Sequence, residues 1–199
     1  MDIFEVITTR RSTRSFKSLK IEKEVLNQII EAGRFAPSGS NSQTTHFIVI
    51  QSAKILSELA TLVRQEFAKM EVTEGMYRSL VSSIKRAKMG KYTFHHNAPV
   101  LIITANKKEY GNNIADCVAA IENMMLMANA LNLGSCYVNQ LKWLNQNEII
   151  VDYLHKHGLN SDELVCGGIS IGYPDTESGL PLRVPLQRTG NVVTFIDEN

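Results

Sequence analysis

The sequence predicts an α+β domain, with helices packed on a mixed, mainly antiparallel central sheet. Three observations carry that expectation. Amphipathic helical stretches outweigh four or five short strand-like runs. Helix and strand patterns do not alternate strictly, as a doubly wound parallel sheet would require. The chain also shows no internal repeat, composition shift or low-complexity linker, so its 199 residues read as one domain, 1–199, with a sizeable core.

The elements follow in chain order. Ile3, Phe4, Val6 and Ile7 give a short amphipathic helix. In 21–36, Val25, Leu26, Ile29, Ile30 and Gly33 share one helical face, and Pro37 stops the helix because it disfavours helical geometry in the residue before it. Residues 37–45, "PSGSNSQTT", are loop by composition, and 46–51 is a β-rich run. Residues 52–70 are helical again. The stretch 71–98 is the least regular and is the candidate for a mobile cover. "PVLIITA" (99–105) is continuously apolar and suits a buried central strand. Residues 113–134 form a long Ala- and Met-rich helix with Gly134 as its C-cap, and Ile114, Val118, Ile121, Met125 and Ala128 fall at helical spacing for a core or an interface. Strand, helix and strand are then expected at 135–140, 145–157 and 163–174. The tail 179–199 is extended, with "VVTFI" able to add a strand.

Composition narrows the function classes. Apolar residues at 44% and charged residues at 21% are ordinary for a globular protein, so neither a disordered nor a membrane-embedded chain is expected. A net charge of +1 gives no global field for nucleic acid or an anionic membrane, so any anion recognition must be local. No apolar run approaches the roughly 20 residues of a membrane span. "MDIFEVI" lacks a basic leader, and a cytoplasmic location is expected. Cys117, Cys136 and Cys166 are widely spaced in apolar surroundings and read as buried free thiols. The five histidines do not bracket them at ligand spacing, so no metal site is expected.

Chemistry-bearing motifs are few. The dinucleotide fingerprint, the Walker loop, the hydrolase elbow and the helical zinc motif are all absent. "HH" at 95–96 reads as a segment end before a strand. "RRSTR" (10–14) offers three guanidinium groups and two hydroxyls, which suits a phosphate monoester. Alone it reads first as a solvated cluster that offsets the dipole at a helix C-terminus. "PSGSNSQ" (37–43) carries hydroxyls and amides able to read the edge of a planar ring, or is simply a polar loop. "GLPLRVPL" (179–186) adds Arg183 as a second phosphate-directed cation.

In this order the segments "RRSTRSF", "APSGSNSQ", "ANALNLGSCYV", "GGISIGYP" and "LPLRVPL" resemble the FMN-dependent nitroreductase family over nearly the whole chain. The resemblance implies an α+β sandwich forming an intertwined homodimer, with FMN in clefts at the subunit interface. By the matching motifs Arg10, Arg11 and Ser12 would bind the FMN phosphate and ribityl chain, Arg14 would lie near the cofactor, and Arg183 would complete the phosphate site. Pro37, Ser38, Gly39, Ser40, Asn41 and Gln43 would border the flavin from the partner subunit. Tyr137, Val138, Asn139 and Gln140 would run past the ring. The implied activity is ping-pong transfer of two electrons from NADH or NADPH, through FMN, to a nitroaromatic, a quinone or a similar small electrophile. The chemistry would occur at flavin N5, so no side chain is assigned as catalytic. Alternatives are reductive dehalogenation, flavin breakdown, or a non-catalytic FMN-storage role. Glu74, Tyr77 and Lys91 fall in the region of a deiodinase-like substrate clamp, but their spacing matches poorly. Two departures from the family pattern touch the expected rim: Thr44-Thr45-His46 after Gln43, and Asn139-Gln140 after Val138.

Overall fold

Asp2 starts the first helix by accepting the Glu5 N–H at 2.9 Å, in a computed structural model that describes residues 1–197. This helix, α1 (Ile3–Thr9), buries only Val6 and Thr9. Helix α2 (Lys23–Arg34) buries Leu26, Ile29 and Gly33 and ends ahead of Pro37. Gly33 lets α2 cross closely, since a Cβ there would sit 2.9 Å from the Met124 Cγ. A single 3-10 turn, Gly39–Asn41, precedes strand β1 (His46–Ile50). Helix α3 (Ala53–Lys69) is capped by the Ser52 hydroxyl, which accepts the Ile55 N–H.

Helix α4 (Arg78–Lys88) corrects the irregular reading of 71–98. Its charged composition hides the pattern, yet Ser83, Ile84 and Ala87 are buried at helical spacing. Gly75 and Gly90, at φ of 81° and 72°, supply the left-handed turns that bracket it. Strand β2 (Val100–Lys107) and helix α5 (Asn113–Ala130) follow. The cap of α5 is not Gly134: Asn132 takes the left-handed conformation at φ 63°, and the Leu133 N–H closes on the Ala128 carbonyl at 2.8 Å. Gly134 instead opens strand β3 (Gly134–Val138), where a Cβ would run into Thr13. Gln140 is not in the strand either: it begins a single-turn helix, α6 (Gln140–Trp143). Helix α7 (Glu148–His155) and strand β4 (Glu163–Gly172) complete the set.

The sheet runs β1-β2-β4-β3 with every pair antiparallel. Its one parallel contact is the isolated bridge from Ser12 to Ser135, held by the Thr13 N–H on the Ser135 carbonyl at 2.8 Å. One sheet face packs against α3, α4 and α7, around Leu59, Phe67 and Ile103. The other packs against α2 and α5, around Ile29, Met124 and Ile169. Of the α5 stripe, Ile121, Met125 and Ala128 are core, whereas Ile114 and Val118 are exposed. All three cysteines are free and buried. Among the described residues no helix is long and apolar enough to cross a membrane.

The tail is tied down near its start. The Arg11 guanidinium donates to the Val184 carbonyl at 2.9 Å, and Arg183 donates to the Asn129 carbonyl at 2.6 Å and to Asn132 Oδ1 at 2.8 Å. "VVTFI" forms no strand within the chain, and Val192, Val193, Phe195 and Ile196 are exposed.

Candidate functional site

The segment after α1 runs alongside β3 through the Ser12–Ser135 bridge, so Ser12 and Arg14, two residues apart in extended chain, face the same way. They meet the end of β3 and the turn into α6. The result is a pocket of about 420 Å³, walled by Ser12, Arg14, Tyr137, Val138, Asn139 and Gln140. The opposite wall comes from the region of the expected cover, with Ser83 and Arg86 of α4, Tyr92 and His96. A second hollow of about 220 Å³ is lined by Arg10, Arg11, Ser12, Arg14 and Arg188. Ser12 and Arg14 line both, so the two spaces are neighbours across these two side chains. Among the described residues no carboxylate lines either.

The polar walls are partly unsatisfied. Ser83 Oγ lies 2.7 Å from the Tyr92 hydroxyl, and Gln140 Nε2 reaches Ser83 Oγ at 3.5 Å. Gln140 Oε1 and Asn139 Oδ1 are buried with no hydrogen-bond partner. Leaving such an atom unpaired costs roughly 1–3 kcal/mol. Burial, reinforced by Arg14 and Arg86, lowers the His96 pKa to about 4, so the imidazole is neutral at neutral pH. Burial also raises the Tyr92 and Tyr137 phenols. The Cys136 thiol is raised by burial against the opposing pull of Arg14.

The sequence-predicted residues divide into three places. Arg10, Arg11, Ser12 and Arg14 come together with Tyr137–Gln140 as described, with Arg10 also lying 3.6 Å from Glu122. Arg183 goes elsewhere, to the C-terminal carbonyls of α5, and Arg188 takes the tail's position in the basic hollow. The loop forms a third place. Pro37, Ser38 and Gln43 line a separate hollow of about 140 Å³ with Thr45 and Asp116, and share no cavity with the arginines. Ser40, Asn41 and Gln43 hold left-handed φ values of 52°, 54° and 51°. The Gly39 N–H meets the Asp116 carboxylate at 3.3 Å, and Tyr110 donates to Asp116 Oδ2 at 2.8 Å. A Cβ on Gly39 would run into the Asn112 side-chain amide and lie 2.6 Å from the Tyr110 hydroxyl, so the packing of this loop calls for glycine.

The departures are also explained locally. His46 pairs with Glu163 at 2.9 Å, away from the pocket, whereas Asn139 and Gln140 line it, their side-chain oxygens buried and unpaired among the described residues. Sequence reasoning missed Ser83, Arg86, Tyr92, His96 and Arg188. Ser79, Ser82, Ser83 and Arg86 recur at helical spacing, a signal hidden only because 78–88 was not read as helix. Among the described residues no cluster of His, Cys, Asp and Glu side chains could hold a metal.

Known proteins share this fold and sequence pattern. A crystal structure of a nitroreductase with bound FMN from Bacteroides fragilis superposes with a TM-score of 0.84 at 30% identity, covering 98% of this chain and 99% of that one. A 4-nitrobenzoate reductase of Pseudomonas putida is 27% identical over 98% of this chain and 96% of its own length. An FMN reductase (NADPH) of Bacillus subtilis is 21% identical over 96% of this chain and 73% of its own. The model of the nitroreductase family matches residues 7–173, from the last turns of α1 to the end of β4, and the chain belongs to that family.

Proposed function

We propose that the chain is an FMN-dependent oxidoreductase that passes two electrons from NADH or NADPH to a nitroaromatic, a quinone or a similar electrophile. One observation carries this reading: a polar, aromatic-walled pocket adjoins, across Ser12 and Arg14, a hollow lined by cations and, among the described residues, by no carboxylate. That is the outline of a planar ring, a polyol and a phosphate in series. The unpaired oxygens of Asn139 and Gln140 fit the N–H and hydroxyl donors such a ligand carries. When bound, the flavin supplies the hydride chemistry.

The chain supplies binding and electrostatics. Arg10, Arg11 and Arg188 offer guanidinium donors for the phosphate, with the Ser12 hydroxyl at the junction. Arg14 and Arg86 place positive charge on the ring side, where negative charge develops on reduction, and neutral His96 leaves that balance to the arginines. Tyr77 and Trp143, 6.2 Å apart edge to face, give the outer wall an apolar surface for an aromatic acceptor.

The reading includes a homodimer. The 37–43 loop lines neither cavity that holds Arg10, Arg11 and Arg14 of its own chain, so it borders the flavin from a second copy. Ile3, Phe4 and Phe35, together with Val192, Phe195 and Ile196, expose apolar surface that a partner would cover.

The test is a titration of purified protein with FMN, followed by anaerobic NADH or NADPH. Saturable binding with a perturbed flavin spectrum, bleaching by the nicotinamide and recovery on adding a quinone are expected. A bound flavin that stays oxidised under excess NADH and NADPH would leave a storage role instead, and no flavin binding would overturn the assignment.

A further inference from the structure

A cavity of about 760 Å³ lies apart from the flavin pocket and shares none of its lining residues. Its volume falls within the range of small-molecule sites. The floor is apolar, with Leu56 and Ala60 of α3 and Val100 of β2. The rim carries Lys20 and Arg64, and among the described residues no carboxylate lines the space. Neither cation has an ion-pair partner among the described residues.

His95 makes the cavity more than a surface cleft. It is 5% exposed, lines the space, and its Nδ1 has no hydrogen-bond partner. Burial lowers its pKa, opposed by the nearby carbonyls of Ala98 and Leu56, and pairing with a carboxylate oxygen requires the proton on Nδ1. Buried polar atoms are nearly always paired, so the unpaired Nδ1 of a residue beside this cavity is short of a partner. The start of α3 adds to this. The Ser52 hydroxyl takes the Ile55 N–H, whereas the N–H of Ala53, which lines the cavity, makes no such bond, and a helix N-terminus favours negative charge.

We propose that this cavity is a second binding site, for a small organic anion consisting of a carboxylate on an apolar or aromatic body. Lys20 and Arg64 take the charge, His95 pairs with a carboxylate oxygen, and the body rests on Leu56, Ala60 and Val100. The same short segment forms the wall of both cavities: Thr93, His95 and Asn97 line this one, and Tyr92 and His96 line the flavin pocket. His96 and Asn97 hold left-handed φ values of 56° and 57°, so the direction of the two adjacent histidines is fixed by the backbone.

The test is calorimetric titration of 4-phenylbutyrate into the flavin-loaded protein and, in parallel, into flavin-free protein, so that failure to load FMN leaves it intact. Saturable binding of one molecule per chain is expected in both. The Lys20→Ala/Arg64→Ala double variant should weaken it at least about tenfold, and His95→Phe similarly, whereas Arg14→Ala should not change it. 4-Phenylbutanol, which lacks the charge, and inorganic phosphate, which lacks the body, should each bind at least about tenfold more weakly. If a variant fails a circular dichroism check of folding, Lys20→Ala alone carries the comparison. Absence of saturable binding up to about 10 mM, loss through Arg14→Ala, or phosphate binding as tightly as phenylbutyrate overturns the proposal.

Discussion

Arg10 and Arg183 are both guanidinium groups near the same helix, yet the structure gives them different work. Arg10 lines the basic hollow, and its one ion pair, to Glu122, is long and solvent-facing. Arg183 is committed to Asn129 and Asn132. Arg10→Ala should therefore weaken FMN by about ten- to a hundredfold while leaving riboflavin nearly unchanged, because charge-assisted contacts contribute about 1.5–3 kcal/mol and only FMN has the phosphate. Equal losses for both ligands, read by fluorescence titration, would remove Arg10 from the phosphate. Arg183→Ala should behave otherwise, lowering the thermal midpoint with the ratio of FMN to riboflavin affinity preserved. Asn129 belongs to the same network. It is buried, and its Nδ2 donates to the Val6 carbonyl at 3.0 Å while its Oδ1 accepts from Arg183. Asn129→Ala leaves a buried carbonyl without its donor and should cost about 1–3 kcal/mol in urea unfolding.

Among the elements, β1 and β4 flank β2 and are joined at one end by the His46–Glu163 pair. Burial pushes the Glu163 carboxyl up, but His46 and the Asn160 backbone together hold it below its ordinary value. A carboxylate held low in the folded state stabilises fully above its unfolded pKa, and that stabilisation is lost as the pH falls through the folded value. The stability advantage of wild type over Glu163→Gln should accordingly be constant above about pH 5 and shrink below about pH 4. Unfolding curves across that range decide it; a gap that instead widened toward acid pH would reverse the assigned sign. Helix α4 shows what pattern reading loses at this scale. It has no side-chain N-cap, its first turn carries no acid, and its neighbours are glycines, so the usual start signal is missing. The buried strand β2 was legible because a continuous apolar run leaves few alternatives.

For the whole molecule, the fold class was legible in the sequence, and so was the cation cluster that the structure gathers around one hollow, Arg10, Arg11 and Arg14. Their legibility has a physical basis: burial periodicity is local, and a cluster of cations in a chain of net charge +1 stands out. The pocket's other wall was not, because Arg86 and His96 reach it through tertiary packing rather than through neighbours in the chain. The destination of Arg183 was likewise decided by the end of a helix more than fifty positions away. The exposed apolar tail and the displaced 37–43 loop belong to the scale of the assembly. Light scattering should give about twice the 22.3 kDa of one chain. A chain ending at Leu186 should lose mass toward the monomer and lose FMN affinity with it. A tail-less protein that remains dimeric and binds flavin normally would separate the tail from the interface.

The bridge between Ser12 and Ser135 also has a consequence in time. The chain on either side of the basic hollow is fastened by contacts between residues far apart in sequence: Asn129 to Val6, separated by 123 residues, and Arg11 to Val184, separated by 173. Contacts of that span pay the full entropy of loop closure before they return anything, and they form late. The nascent chain therefore has no half-built flavin site to occupy as its early helices emerge from the ribosome. Competence to bind arrives only once the C-terminal residues have closed onto the N-terminal ones. In refolding, quenching of added flavin should follow the slowest step of the burial of Trp143 and never precede it.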